Sequence, residues 1–142
     1  MIRMQPDQFN LMPHTDMEFP DSETIRVWKT GSLEPDINTY AGVVGSSFHN
    51  GTIEADVCGR LRSDAPDYAR GFIGIVFRAA DDGREFESFY IRPTNGKECK
   101  DPVRKKHGCQ YFSFPGYSFS YFRDFGITDY ENCVNTIAIN QW

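Results

Sequence analysis

The residues of this 142-residue chain best suited to chemistry are Arg78 and Glu87, which stand on either side of a tight-turn signal, Asp82-Gly83. A two-residue turn there places Arg78 directly opposite Glu87 in a hairpin, and any turn with an even number of residues keeps both on one face. A carboxylate held by a guanidinium is suited to act as an acid, a base or a hydroxyl acceptor. Both residues are therefore candidates for a catalytic role.

A second carboxylate decides whether Glu87 is catalytic, because glycoside cleavage uses two carboxyl groups, one on either side of the bond. Glu54 and Asp56 are the candidates, since they alternate with apolar residues on a predicted strand at 52–58. The alternative for these two acids is an ordinary solvated face. The alternative for Arg78 and Glu87 is a buried ion pair that satisfies both charges structurally.

A turn with an even number of residues also places Val76 on the same face as Glu87, and it puts Tyr90 and Arg92 on the opposite face. Asn95 follows in the next loop. An aromatic ring stacks on the C–H face of a sugar, and guanidinium and amide groups bind its hydroxyls or a carboxylate. Tyr90, Arg92 and Asn95 are therefore candidates for substrate binding. The alternative is that Arg92 ties down its own loop.

Two further binding candidates, His107 and Gln110, follow a basic stretch at 97–106. A histidine has a direct role in chemistry only where the fold brings it beside Glu87 or Arg92, and it is otherwise a loop residue. The basic stretch fits an acidic glycan or an ordinary solvated loop, and the sequence leaves both open.

The overall composition excludes several classes of protein. Fifteen basic against twenty acidic residues give a net charge of −5, which argues against nucleic-acid binding. No apolar run approaches the roughly 18 residues of a membrane span, and the first residues do not form a secretory signal. We therefore expect a cytoplasmic protein that binds neither nucleic acid nor membrane.

The four cysteines do not form a metal-binding pattern. Cys58, Cys99, Cys109 and Cys133 include no CxxC pair and no zinc-type spacing, so we expect neither a metal nor a cofactor. Cys99 and Cys109 are the pair whose spacing suits a disulfide. Four free thiols in a reducing compartment remain the favoured interpretation.

The elements that must position these residues are short strands. Aromatic residues make up 15% of the chain, and no segment shows helical periodicity over three turns. We expect residues 1–24 to be an extended lead-in and residues 25–142 to form one all-β domain, an antiparallel sandwich or jelly roll. Asn50-Gly51 is a hairpin signal and 30–38 a loop, and strands are predicted at 25–28, 40–48, 52–58, 71–78, 86–92, 108–114, 117–122 and 136–139.

Several stretches between residues 40 and 142 form one pattern, of which FESFYIRPTNG at 86–96 is the most specific part. The others are NGTIE at 50–54, ARGFIGIVFR at 69–78, His107 with Gln110-Tyr111, Tyr130-Glu131 and the closing NQW at 140–142. This pattern resembles the concanavalin A-like, laminin-G-like jelly rolls, and within them the 3-keto-disaccharide hydrolase domains and their uncharacterised relatives. The resemblance implies two curved antiparallel sheets whose concave side faces a carbohydrate.

The resemblance leaves the activity open between two classes. One is hydrolysis or lyase-type cleavage of a modified keto sugar, and the other is a non-catalytic module that binds a glycan or a protein. The resemblance implies further strands beyond the position of Trp142. We therefore expect a sandwich incomplete at its C-terminus, whose open sheet edge is covered by a partner chain, by a dimer or by the lead-in, or else a truncated domain without independent activity.

Overall fold

The computed structural model describes residues 2–32, 34 and 38–142, in two compact units, Met1–His49 and Asn50–Trp142. The loop predicted at 30–38 includes residues 33 and 35–37, which lie outside the described part. The boundary between the units falls after residue 49. The division into a lead-in at 1–24 and a domain at 25–142 stays a prediction.

The first unit consists of two antiparallel strand pairs, and none of its described residues is fully buried. Residues 1–24, expected to be an extended lead-in, contain two of these strands. Each of the two pairs with a strand that lies later in the chain, which local sequence does not reveal. The unit comprises a 3-10 turn at Pro6–Gln8, β1 at Phe9–Leu11 pairing with β4 at Ala41–Val43, and β2 at Thr15–Glu18 pairing with β3 at Arg26–Lys29.

The second unit contains a four-stranded antiparallel sheet in the order β5-β6-β7-β8. Its strands are β5 at Ile73–Phe77, β6 at Phe86–Ile91, β7 at Cys109–Phe114 and β8 at Glu131–Asn132. A 3-10 turn at Pro93–Asn95 and two short helices, α1 at Pro102–Lys105 and α2 at Phe119–Asp124, complete the unit. The prediction of a β-rich antiparallel protein is confirmed at this level.

The two faces of this sheet differ in burial. The inner face, defined by Phe86, Ser88, Tyr90, Gln110 and Phe112, contains fully buried side chains. Its aromatic rings pack closely, with the Phe86 and Phe112 centroids 5.5 Å apart. The outer face, defined by Glu87, Phe89 and Tyr111, has no fully buried member. The core of the unit therefore lies on the inner side.

Gly74 on β5 permits a close approach of the neighbouring strand. A Cβ atom at this position would lie 2.2 Å from the Phe89 carbonyl oxygen and 2.5 Å from the Tyr90 Cα. A side chain does not fit there, so glycine allows the β5–β6 pairing to form.

The strand predicted at 52–58 is wrong. The segment is assigned to no strand and is exposed from residue 51 to residue 56, and β4 pairs with β1 and not across the Asn50-Gly51 turn. Alternation of apolar and polar residues is compatible with a strand, but a strand also needs a partner to bond with its backbone. The strand predicted at 136–139 is also wrong, because the segment forms no strand although the Ile137 carbonyl oxygen accepts from the Lys97 N–H and Ala138 is buried.

The strand predicted at 117–122 is also wrong, because α2 covers most of it. Tyr117, Tyr121 and Phe125 are spaced by four residues, and their rings contact one another in succession at 5.1 and 4.8 Å. An alternating pattern also contains the i, i+4 spacing of a helix face, so the two periods are hard to tell apart over so short a stretch. Phe122 on this helix is buried and stacks on Tyr130 at 4.5 Å.

Candidate functional site

Strand β6 divides the candidate residues into two groups on opposite faces of the sheet. Glu87 lies on the outer face with Phe89, and Tyr90 lies on the inner face with Ser88. The separation of Glu87 from Tyr90 follows from the alternation of the strand. The two groups therefore form two separate neighbourhoods.

Arg78 and Glu87 do form an ion pair, with Nη1 2.9 Å from Oε1, but the predicted register is wrong. Phe77, and not Arg78, pairs with Glu87. Val76 pairs with Ser88, so the predicted grouping of Val76 with Glu87 on one face is also wrong.

A β-bulge explains the shift. The Ala80 N–H donates to the Glu85 carbonyl oxygen at 2.8 Å, which is the register that an even turn predicts. Between this bond and the Phe77–Glu87 pair, two residues of one strand, Arg78 and Ala79, lie opposite the single residue Phe86. Arg78 has a positive φ of 52°. An extra residue on one strand moves every side chain beyond it to the opposite face of the sheet.

Glu87 is held as an ionised acceptor at the surface. Arg78 binds one carboxylate oxygen, and the Tyr111 hydroxyl donates to the other at 2.8 Å. The hydrogen bond from Arg78 lowers the pKa of Glu87, burial opposes this, and Tyr111 lowers it further. The side chains of Arg78 and Glu87 are 60% and 22% exposed, so this is not the buried ion pair of the structural alternative.

An exposed aromatic ring lies on the same face. Phe89 is 50% exposed and pairs across the sheet with Ile75 on one side and Tyr111 on the other. The ring of Tyr130, also exposed, lies 5.7 Å from that of Tyr111. The outer face thus combines an ionised carboxylate, a guanidinium and accessible aromatic surface.

The hydrogen-bond partners of Glu87 are Arg78 and Tyr111. A second catalytic carboxylate would lie about 5–10 Å away, on the other side of the bond to be cleaved. Glu54 and Asp56 lie in the exposed segment that forms no strand. The sequence placed them on a strand next to the hairpin, and without that strand the argument for their proximity to Glu87 is lost.

The inner group is a closed hydrogen-bond network centred on Arg92. Its Nη2 donates to the Tyr90 hydroxyl at 2.7 Å and to Oε1 of Gln110, and its Nη1 donates to the His107 carbonyl oxygen at 3.2 Å. The Tyr90 hydroxyl donates to Gln110 Oε1 at 3.0 Å. The Arg92 guanidinium also lies over the Tyr90 ring, 4.9 Å from its centroid, in a cation–π contact.

Glu131 is the acidic centre of this network. Its Oε2 accepts from Arg92, His107 Nδ1 and Arg123 at 3.5, 2.8 and 3.2 Å. Burial raises the pKa of Glu131, but the hydrogen bond and charge of Arg123 and the charge of His107 outweigh it, so the pKa lies below its usual value. The fold therefore does bring His107 beside Arg92, through a shared carboxylate.

Asn95 connects the network to helix α1. Its side-chain N–H donates to the His107 carbonyl oxygen at 3.0 Å, and its Oδ1 accepts from Arg104 Nε at 3.1 Å and Nη2 at 3.0 Å. The helix begins at an N-cap, Asp101, whose carboxylate accepts from the Val103 N–H at 2.8 Å.

These contacts favour a structural role for the inner group. Arg92 is 5% exposed and Gln110 is 0% exposed, so neither side chain reaches solvent. The Gln110 Nε2 group has no hydrogen-bond partner within the described part of the chain. The contacts agree with the alternative in which Arg92 ties its own loop to the sheet.

Sequence reasoning missed three members of the two neighbourhoods: Glu131, Arg123 and Phe89. Glu131 lies 39 residues after Arg92, and no local pattern connects the two positions. Tyr130-Glu131 belongs to the stretches that carry the resemblance, and this is the one signal that points to Glu131.

Three general features bear on the kind of site. In the described ranges, no three residues of His, Cys, Asp or Glu are grouped so that they could hold a metal ion. The four cysteines are unpaired. No helix among residues 2–32, 34 and 38–142 combines the length and apolar character required to cross a membrane.

Comparisons with known proteins return no match for this chain among family models, curated proteins or solved structures. The resemblance to concanavalin-like domains therefore stays a prediction from the sequence.

Proposed function

We propose that the second unit, Asn50–Trp142, binds carbohydrate on the outer face of its sheet. One observation carries the proposal: the ionised carboxylate of Glu87, held by Arg78 and Tyr111, lies on the same face as the half-exposed ring of Phe89. Carbohydrate sites use an accessible ring for the C–H face of the sugar and fixed polar groups for its hydroxyls.

The roles of these residues follow from their chemistry. Phe89 stacks on a pyranose ring, Glu87 accepts hydrogen bonds from sugar hydroxyls, and Arg78 donates to ring or hydroxyl oxygens. Tyr111 and Arg78 keep the carboxylate in one orientation, which reduces the entropy lost when a ligand binds. Exposed Tyr130 extends the aromatic surface beside Tyr111.

The proposed fold is a concanavalin-like sandwich in which the four-stranded sheet is one of two layers. The antiparallel order of its strands and the burial of its inner face support this. Strands β5 and β8 are the two edges of the sheet, and a partner chain or a second copy that covers an edge belongs to the same proposal.

Binding is proposed ahead of cleavage because Glu54 and Asp56, the candidates for the second carboxylate, lie in an exposed segment that forms no strand. Cleavage of a keto sugar by Glu87 and Arg78 stays a prediction of the resemblance, and it requires an acid in addition to the contacts described above.

The test is a glycan array probed with the full chain and with two variants. Phe89→Ala removes the stacking ring and is expected to weaken binding roughly two- to tenfold, or about 0.5–1.5 kcal/mol. Glu87→Gln keeps the shape and removes the charge, and we expect a loss of roughly tenfold. Because the Arg78–Glu87 pair is exposed, Glu87→Gln should change unfolding free energy by about 1 kcal/mol or less.

The matched control is Phe125→Ala, which removes an exposed ring that follows α2 and does not belong to the sheet. It should leave glycan binding unchanged. Equal binding by Phe89→Ala, Glu87→Gln and the parent would overturn the proposal. If the chain turns over a 3-keto-disaccharide and Glu87→Gln abolishes this turnover, the function of the outer face is catalysis and not binding alone.

A further inference from the structure

A cleft of about 310 Å³ in the second unit lies outside both neighbourhoods described above. It forms where the 3-10 turn after β6, the basic stretch and the segment near the end of the chain meet. Its walls include Pro93, Thr94, Lys100, Arg104, Ala138 and Ile139, with Glu98 also on the lining. A volume of this size is at the lower end for ligand pockets and suits a ligand about as large as a monosaccharide.

Arg104 is held in place by a buried amide. Asn95, itself 3% exposed, accepts hydrogen bonds from Arg104 Nε and Nη2, and Thr94 accepts two further bonds from Nη2. The remaining nitrogen, Nη1, makes no hydrogen bond to the part of the chain that the structure describes. The guanidinium is thus fixed along one edge and has donors left for an anion.

The other charges on the lining are Lys100 and Glu98, both exposed. With Arg104, they leave the cleft with one net positive charge. A single positive charge matches a monoanion such as a carboxylate better than a doubly charged phosphate.

The rest of the wall is apolar. Pro93 and Ala138 are buried and Ile139 is partly buried, so they present hydrocarbon surface beside the cations. A ligand that fits needs an apolar face as well as a negative group. A pyranose ring that carries a carboxylate has both.

We propose that this cleft binds a uronate, the carboxylate lying against Arg104 and Lys100 and the C–H face of the ring against Pro93 and Ile139. The inference rests on the cleft alone and does not require the outer face of the sheet to bind sugar. A free uronate and a uronate within a longer glycan offer the same recognised group.

The test is an NMR titration of the full chain with sodium glucuronate, with glucose as the neutral ring of the same shape, at constant ionic strength. Glucuronate is expected to bind at least tenfold more tightly than glucose and to shift amide signals of residues on the lining. Glucuronate that binds no better than glucose overturns the proposal. A glucuronate disaccharide that binds as tightly as the monosaccharide favours a glycan source, and a weaker one favours the free acid.

Variants of the three charged lining residues test the same cleft. Lys100→Ala should weaken glucuronate binding roughly two- to fivefold, and Glu98→Gln should strengthen it by a similar factor, since both residues are exposed. Arg104→Lys loses the planar fork and should weaken binding roughly tenfold, with its melting temperature measured to confirm folding.

The matched control for Lys100→Ala is Lys97→Ala, an exposed lysine of the same stretch that does not line the cleft. It should leave the affinity unchanged. Equal effects of Lys97→Ala and Lys100→Ala would show that glucuronate is attracted by the overall charge of the stretch and not by this cleft, which would overturn the proposal. A loss of glucuronate binding in Phe89→Ala would place the ligand on the sheet and also overturn it.

Discussion

The guanidinium of Arg92 and the carboxylate of Glu131 meet inside the second unit, with Nη1 3.5 Å from Oε2 and with 6% and 7% of their side chains exposed. Arg92 directly follows strand β6 and Glu131 lies on β8, 39 positions later in the chain. Glu131 also binds His107 and Arg123, so one carboxylate connects the sheet, the loop before β7 and helix α2.

Substitution Glu131→Gln should lower the free energy of unfolding by about 3–5 kcal/mol, because it leaves the buried Arg92 charge without its acidic partner. Urea denaturation measures the effect. Glu54→Gln is the matched control, since Glu54 is exposed in the segment that forms no strand, and it should stay within about 0.5 kcal/mol of the parent. A loss under about 1 kcal/mol for Glu131→Gln would show that the pair contributes little.

The same carboxylate predicts how stability depends on pH. The folded-state pKa of Glu131 is lowered, so this group contributes stability that is present above its unfolded pKa, about 4.3, and is lost as the pH falls through the folded pKa. The parent should therefore lose stability more steeply than Glu131→Gln below roughly pH 5. Unfolding free energies measured from pH 6 to pH 3 test this, and parallel curves for both proteins would contradict it.

The bulge at Arg78 predicts an unusual order of stability between two small residues. Arg78 has a φ of 52°, which glycine adopts freely and a residue with a Cβ adopts at a cost of about 1–2 kcal/mol. Both Arg78→Gly and Arg78→Ala remove the ion pair to Glu87, so the glycine variant should be more stable by about 1 kcal/mol. In a regular strand the order is the reverse, and finding alanine more stable in thermal unfolding would argue against the bulge.

Gly74→Ala should destabilise the protein by about 1–3 kcal/mol, since its Cβ would lie 2.2 Å from the Phe89 carbonyl oxygen and force β5 away from β6. Chemical denaturation with the parent as reference measures the loss. Gly116→Ala is the matched control, because a Cβ there meets nothing within 4 Å, and it should change stability by no more than about 0.5 kcal/mol. Equal stability of both variants would show that the strands separate easily at Gly74.

The central hairpin and its third strand follow from local sequence patterns. The β-branched and aromatic runs located β5, β6 and β7, the turn at Asp82-Gly83 predicted the even register seen at the Ala80–Glu85 bond, and alternation separated Glu87 from Tyr90. These features depend on side-chain period and turn residues, which neighbouring positions in the chain specify.

Tertiary structure alone decided the bulge at Arg78, the helix at Phe119–Asp124 and the position of Glu131 beside Arg92. Each depends on what the segment meets in space. A period-two pattern becomes a helix where Phe122 packs on Tyr130, and an extended segment such as 52–58 becomes a strand only where a neighbour supplies hydrogen bonds. Contacts between distant segments leave no local signature in one sequence, because their free energy comes from burial and pairing that form only when the chain has folded.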